Sequence, residues 1–257
     1  MLKLDAAVYT HVGKVQNNNE DNYYLFGKYR KNIKTSVQKC GKRKLIGKAL
    51  VAVCDGMGGE EAGEIASLAA VKELKPLSIS GLKGKIACQI TKMNEAVCGE
   101  RTARGGKTIG TTFVGVYFAS NNAICCNVGD SRAYLFRGGQ LQRLSEDHSE
   151  AQRQINMGIM TEEQARRSRG WHYLTQHIGL FPEELVIVPS FSGMISLKKG
   201  DIFLLCSDGI TDLITDSELA AFFFQNKAAK QYVQELVDMV LQRGAKDNVT
   251  AIVVRVK

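Results

Sequence analysis

A layered α+β architecture, with helix pairs packed around a strand-rich antiparallel middle, is the fold class that this 257-residue sequence predicts. Three observations carry the prediction. Apolar runs of strand length recur from the first residues to the last eight or so. Two of these runs, near 132–137 and 140–144, are separated only by Gly138-Gly139, a hairpin signal that excludes a βαβ unit there. Helical periodicity surfaces in two places, each time as a pair of neighbouring helices.

Residues 3–10 alternate as a strand does, and 13–19 read as a polar turn. A strand at 22–27 leads into a basic segment, 28–48, and then into an apolar strand that stops at Asp55. From Glu60 the period becomes helical. Ala62, Ile65, Ala66 and Ala69 fall on one face, with Glu60 and Glu61 in the first turn and Pro76 beyond the end. A second helix puts Ile86, Ile90, Met93 and Val97 on one side. Strand-like runs at 112–118, 123–128, 132–137 and 140–144 are expected to form an antiparallel meander. The polar segment 146–183 contains Thr161-Glu162-Glu163-Gln164, the spacing of a capping box, and therefore a short helix. So long a connection in a compact domain is usually a lid or flap. Strands near 185–190 and 201–207 precede two more helices. One is opened by the capping box Thr215-Asp216-Ser217-Glu218, and the other carries Val233, Leu236, Val237 and Val240 on a face and stops at Gly244. The apolar run from Val249 to Val256 is the last strand.

With 44% hydrophobic residues, three prolines, no repeat and no Pro- or Ser-rich linker, the chain reads as a single domain over residues 1–257. Lys3 and Asp5 interrupt any signal-peptide core, and no apolar run approaches the ~20 residues of a membrane span. A cytoplasmic protein is expected. Seven cysteines, mostly within apolar runs and without Cys-x-x-Cys spacing, read as buried hydrophobes in a reducing compartment. The net charge of +8 is local: nine of the 34 Lys and Arg, and no acid, fall between Lys28 and Lys48. The simplest reading of that segment is a solvated hairpin. The functional one is a patch for an acidic or phosphorylated partner, nucleic acid or anionic lipid.

The chemistry is concentrated in Val51-Ala52-Val53-Cys54-Asp55-Gly56-Met57-Gly58-Gly59, an apolar run that ends on a carboxylate and three glycines. The pattern recurs at Cys125-Cys126-Asn127-Val128-Gly129-Asp130 and at Phe203-Leu204-Leu205-Cys206-Ser207-Asp208-Gly209. Asp247 stands just before the last strand, and Glu20-Asp21 just before the strand at 22–27. A single Asp-Gly at a strand end is usually a turn. Four or five such ends in one sheet system bring carboxylates together, and these share a small volume only when a positive charge neutralises them. Oxygen donors without a His cluster suit Mg²⁺ or Mn²⁺ rather than zinc.

With Asn19-Glu20-Asp21, Asp55-Gly56-Met57-Gly58-Gly59, Gly110-Thr111-Thr112, Gly129-Asp130-Ser131-Arg132, Asp147-His148-Ser149, Ser207-Asp208-Gly209 and Asp247-Asn248 in this order, the chain resembles the metal-dependent phosphatases of the protein phosphatase 2C (PPM) type. It is most similar to the stand-alone bacterial serine/threonine phosphatases. The resemblance covers essentially the whole chain. It implies a central sandwich of two antiparallel sheets flanked by helix pairs (α-β-β-α). It also implies hydrolysis of phosphoserine and phosphothreonine in proteins by a water bridging two Mn²⁺ or Mg²⁺ ions. By position, Asp55 would bridge both ions, Glu20 and the Gly56 carbonyl would serve one, and Asp208 and Asp247 the other. Asp21 would support a metal-bound water, Asp130 and Asp212 match residues that hold a third ion, and 146–183 matches the flap. Phosphoprotein substrates and a cognate Ser/Thr kinase are the implied partners.

Two positions depart from that pattern. Gln16 stands where most members carry an arginine that grips the substrate phosphate, and an uncharged amide forfeits about 1.5–3 kcal/mol, about 10- to 150-fold in binding. Weak phosphate binding is expected unless Lys14, on the same face of an extended segment, substitutes. Met57 stands where some relatives have a histidine proposed as leaving-group acid, so that role is unfilled. His148 and Arg132 read as structural. Gly106-Lys107-Thr108 is not a phosphate-binding loop, because Arg101 occupies the place of the required first glycine. The alternatives are a phosphoprotein-binding pseudophosphatase, supported by Gln16 alone, and a nucleic-acid or membrane-surface protein driven by 28–48.

Overall fold

The computed structural model describes residues 2–32, 37–44, 47–58, 62–78, 80–106 and 108–257. The expected helix start at Glu60 and Glu61, Gly59 of the glycine-rich turn, Lys107, and residues 33–36 and 45–46 of the basic segment lie outside these.

Strands pair antiparallel throughout two main sheets. The first runs β11(Gln140–Arg143), β10(Arg132–Arg137), β14(Ile202–Cys206), β15(Val249–Val256), β1(Lys3–His11), β4(Val37–Lys44). The second runs β12(Ser190–Phe191), β9(Asn122–Val128), β8(Phe113–Ala119), β5(Lys48–Cys54), β2(Asn22–Leu25), β3(Lys28–Tyr29), with β13(Ile195–Ser196) also on β9. A small ribbon joins β6(Gly56–Gly58) to β7(Ile109–Thr111). Alternation along the strands explains the layers. In β5, Val51 and Val53 face the other sheet, where Val8, Phe203 and Ile252 meet them. Leu50, Ala52 and Cys54 face the opposite way, onto α1(Gly63–Lys72) and α2(Leu82–Ala103). On the far side, α6(Asp216–Phe223) and α7(Ala229–Gln242) cover the first sheet through Leu219, Val233, Leu236 and Val240. The result is the four-layered α-β-β-α sandwich that the resemblance implies.

Both predicted capping boxes form, at Thr161 for α4(Glu162–Arg166) and at Thr215 for α6. Three expectations are corrected. The four strands from 112 to 144 are not one meander: β8 and β9 pair in one sheet, β10 and β11 in the other, and the chain crosses between sheets at Gly129-Asp130-Ser131. The strand expected over 185–190 is reduced to Ser190–Phe191. Pro189 has no N–H to give a ladder, and Val186 and Val188 stay exposed. The described parts of the basic segment are not a hairpin either. β3 closes one sheet while β4 becomes the edge of the other, paired to β1. No helix among the described residues is long and apolar enough to cross a membrane.

Candidate metal centre

Because β5 is buried from Ala49 to Cys54, its end is rigidly placed, and Asp55 is fixed by its main chain. Its N–H donates to Thr112 Oγ1 (3.0 Å), and its carbonyl accepts from Thr112 N–H and Thr111 Oγ1 (2.8 Å each). Thr112 Oγ1 lies 2.7 Å from Ser131 Oγ, which ties this strand end to the crossover carrying Asp130. Beyond Asp55 the chain needs glycine. A Cβ on Gly56 would stand 2.1 Å from the Gly63 carbonyl oxygen and 2.7 Å from that of Glu20, so only a bare backbone passes between them.

Glu20 and Asp21 are held from the other end of the sequence. Asn248, 5% exposed, donates through Nδ2 to the carbonyls of Val12 and Asn18 (2.9 Å each) and accepts the Glu20 N–H at Oδ1 (2.6 Å). Thus the residue after Asp247 clasps the loop that carries Glu20. Ser207 Oγ donates to Asp21 Oδ2 (2.8 Å) and accepts from the Thr250 N–H (3.0 Å). From beneath, Arg30 Nη2 donates to the carbonyls of Asn19 and Asp21 (2.6 Å for the latter). Arg30 is 2% exposed, although sequence reading counted it within a solvated basic run.

These segments converge on a cavity of about 260 Å³ lined by Glu20, Asp55, Gly56, Asp130, Asp208 and Asp247, together with Met57 and Gln16. Asp21 sits behind it, fully buried, and Asp212 lines an adjoining cleft of about 510 Å³. Gln16 lines both spaces and hydrogen-bonds the Asp247 carboxylate. Lys14 is exposed and lines neither. Burial and mutual repulsion raise the carboxyl pKa values. Glu20 is pushed up to about 7 by burial and then by Glu64 and Asp247. Asp21 also reaches about 7, chiefly through burial. Burial and the surrounding aspartates hold Asp55 and Asp130 well above the usual carboxylate range, and Asp247 above it.

The flap reaches this centre with residues that the sequence analysis passed over. After α3(Glu150–Asn156) and α4, a single 3₁₀ turn, Arg169–His172, sets the Trp171 indole N–H on Asp212 Oδ1 (2.9 Å). His172 places Nδ1 3.8 Å from Asp208 Oδ2 and Nε2 3.8 Å from Asp212 Oδ2. The facing Asp208 and Asp212 carboxylates push its pKa up to about 9 despite partial burial. The Trp171 ring is within cation–π reach of the guanidinium groups of Arg132 and Arg166, at 5.1 and 5.0 Å. The only signal for this was a lone tryptophan within the flap segment. His148 is structural, as expected. Its Nε2 lies 2.8 Å from Ser190 Oγ, and burial lowers its pKa. Arg132 is also internal, forked onto Asp147 (2.9 and 2.6 Å) at the base of the flap.

The donor set fits hard divalent cations. It is all oxygen apart from His172, its oxygens come from five separate segments, and Asp21 Oδ1 is buried without a hydrogen-bond partner. No lysine or arginine among the described residues lines the cavity to neutralise it.

Comparison with known proteins gives a consistent picture. The family model for "Protein phosphatase 2C" matches residues 13–154. The serine/threonine protein phosphatase PstP of Mycobacterium tuberculosis is 30% identical over 98% of the chain, which spans 45% of that relative's length. Protein phosphatase PhpP of Streptococcus pneumoniae is 29% identical, with 98% of this chain and 97% of the relative covered. Among solved structures, the catalytic domain of PstP in complex with two manganese ions superposes with a TM-score of 0.80 at 28% identity, over 100% of this chain and 99% of that one.

Proposed function

The chain belongs to the protein phosphatase 2C family, and from that premise we propose that it is a metal-dependent phosphatase acting on phosphoserine and phosphothreonine in proteins. The observation that carries the reading is the convergence of Glu20, Asp55, Asp130, Asp208 and Asp247, from strand ends far apart in sequence, on one cavity with no lysine or arginine among its described lining residues. Relatives named as serine/threonine phosphatases, and one solved with two manganese ions, support it.

In this reading Glu20, Asp55, the Gly56 carbonyl, Asp208 and Asp247 would hold two ions, and Asp130 and Asp212 would hold a third. Ions bound there supply Lewis acidity, activating water as the nucleophile and offsetting negative charge on the phosphoryl oxygens. The protein supplies position. Thr112 and Ser131 fix Asp55, Asn248 fixes Glu20, and Asp21 accepts a hydrogen bond behind the cavity from Ser207. Met57 lines the cavity and offers no proton. Residues 1–257 act in this proposal as one catalytic domain, with a cognate Ser/Thr kinase writing the marks it removes.

The test is hydrolysis of p-nitrophenyl phosphate and of a phosphothreonine peptide with Mn²⁺, with Mg²⁺ and with EDTA. Turnover with one or both metals, abolished by EDTA, is expected. Failure to turn over either substrate while calorimetry shows bound metal would overturn the proposal.

A further inference from the structure

Gln16 leaves the centre without a permanent positive charge for a phosphate dianion, and the metal cavity contains no lysine or arginine among its described lining residues. The adjoining cleft of about 510 Å³ does. It shares Gln16, Asp208, Asp247 and His172 with the cavity, His172 being already engaged by Asp208 and Asp212 (3.8 Å each), and it adds Arg243 and Lys246. The two cations differ. Arg243 is already engaged, through Nη2 with Glu218 Oε1 and through Nη1 with the Leu213 carbonyl (2.7 Å each). Lys246 is exposed and forms no ion pair with a described residue.

The loop that carries Lys246 is locked to the loop that carries Gln16. The Lys14 N–H donates to the Ala245 carbonyl (2.8 Å). Gly13, at φ +84°, passes so close that a Cβ there would stand 2.2 Å from the Asp247 carbonyl oxygen. Asn248 adds its two bonds to Val12 and Asn18. Residues 12–18 and 244–248 therefore form one rigid unit, with Gln16 and Lys246 on the same cleft and Lys246 adjacent in sequence to Asp247.

Resting on the phosphatase reading, we propose that Lys246 is the substrate-binding cation of this site, meeting the phosphoryl group with the charge that Gln16 lacks. A lysine ammonium is a point charge on a flexible stem, so it attracts a phosphate without the fixed bidentate geometry of arginine. Lys14, next to Gln16 in sequence, lines neither space and does not fill this role.

The experiment relocates the charge. Lys246→Ala is expected to raise KM for p-nitrophenyl phosphate and for a phosphothreonine peptide by about 5-fold, the upper range for an exposed ion pair. The kcat should change little, and Lys246→Arg should preserve the wild-type KM. Adding Gln16→Arg to Lys246→Ala should restore KM. Inorganic phosphate binding to the Mg²⁺-loaded proteins, followed by calorimetry, should weaken and recover in the same order. An unchanged KM and phosphate affinity in Lys246→Ala would overturn the proposal. So would a defect that Gln16→Arg does not repair, because Lys246 would then act only on the shape of the Asp247 loop. The phosphate titration reads Lys246 even if neither substrate is hydrolysed, the result that would defeat the phosphatase reading itself.

Discussion

The carboxylate end of the sandwich and the flap beside it are stabilised by opposite means. At the strand ends every backbone is locked and every charge is opposed. Glu20 and Asp21 are pushed up to about 7, and Asp55 and Asp130 are held well above the usual carboxylate range, by burial and by neighbouring carboxylates. In the flap the backbone is a string of short elements, but the charges are matched: Arg153 with Glu150, Arg166 with Glu162, Arg167 with Glu163, and buried Arg132 with Asp147. A region that satisfies its own charges needs nothing added to it. Conflict held in place by strong strands marks the spot where a ligand completes the protein.

The largest effect that sharpens this contrast is on catalysis. Asp208→Asn is expected to lower kcat/KM by about 100- to 1000-fold, as fits the several kcal/mol of charge stabilisation that metal ions supply. It should also raise the melting temperature of the metal-free protein, because it removes one of the charges opposing Asp55, Asp21 and Asp130. Paired assays and thermal melts in EDTA check both halves, and a lower melting temperature would mean that the carboxylates are not in conflict. In the flap the same kind of change should do the reverse. Arg132→Met strips the forked partner from Asp147 and is expected to cost about 3 kcal/mol in urea unfolding, the low end for a broken buried pair because Arg143 still reaches Asp147. A loss below about 1 kcal/mol would show that the flap does not depend on its ion pairs.

The third effect is with pH. Glu20 and Asp21 bind protons more tightly folded than unfolded, with pKa values of about 7 against ordinary values of 4.5 and 3.8. Their contribution to the stability of the metal-free protein is therefore full below about pH 4 and is lost as the pH rises toward 7. Melting temperature in EDTA should fall across that window, and Mn²⁺ should flatten the fall. A metal-free protein whose melting temperature rose from pH 4.5 to 7 would contradict the assigned shifts.

What sequence reading reaches in this molecule is what local physics decides. An apolar run ending in Asp-Gly announces Asp55 and Asp208 because strand burial and the turn are properties of adjacent residues. The capping boxes at Thr161 and Thr215 are equally local. The crossover at Gly129-Asp130-Ser131 was misread as a meander because the choice of sheet depends on β14 and β15, far along the chain. Arg30 looked solvated because its neighbours are basic, and only the fold brings the carbonyls of Asn19 and Asp21 above it. His172 and Trp171 were invisible for the same reason. Their partners, Asp208 and Asp212, arrive some 40 residues later.

Trp171 is the only tryptophan in the chain. Its indole packs against two guanidinium groups with its N–H on a carboxylate of the acidic centre. Light at the red edge of protein absorption, where tyrosine is transparent, therefore excites a single point, the contact between flap and Asp212. Emission from that point is sensitive to neighbouring charge and to water. The chain thus carries its own optical gauge of whether the flap rests on the acidic centre, readable without a label, a substrate or a turnover.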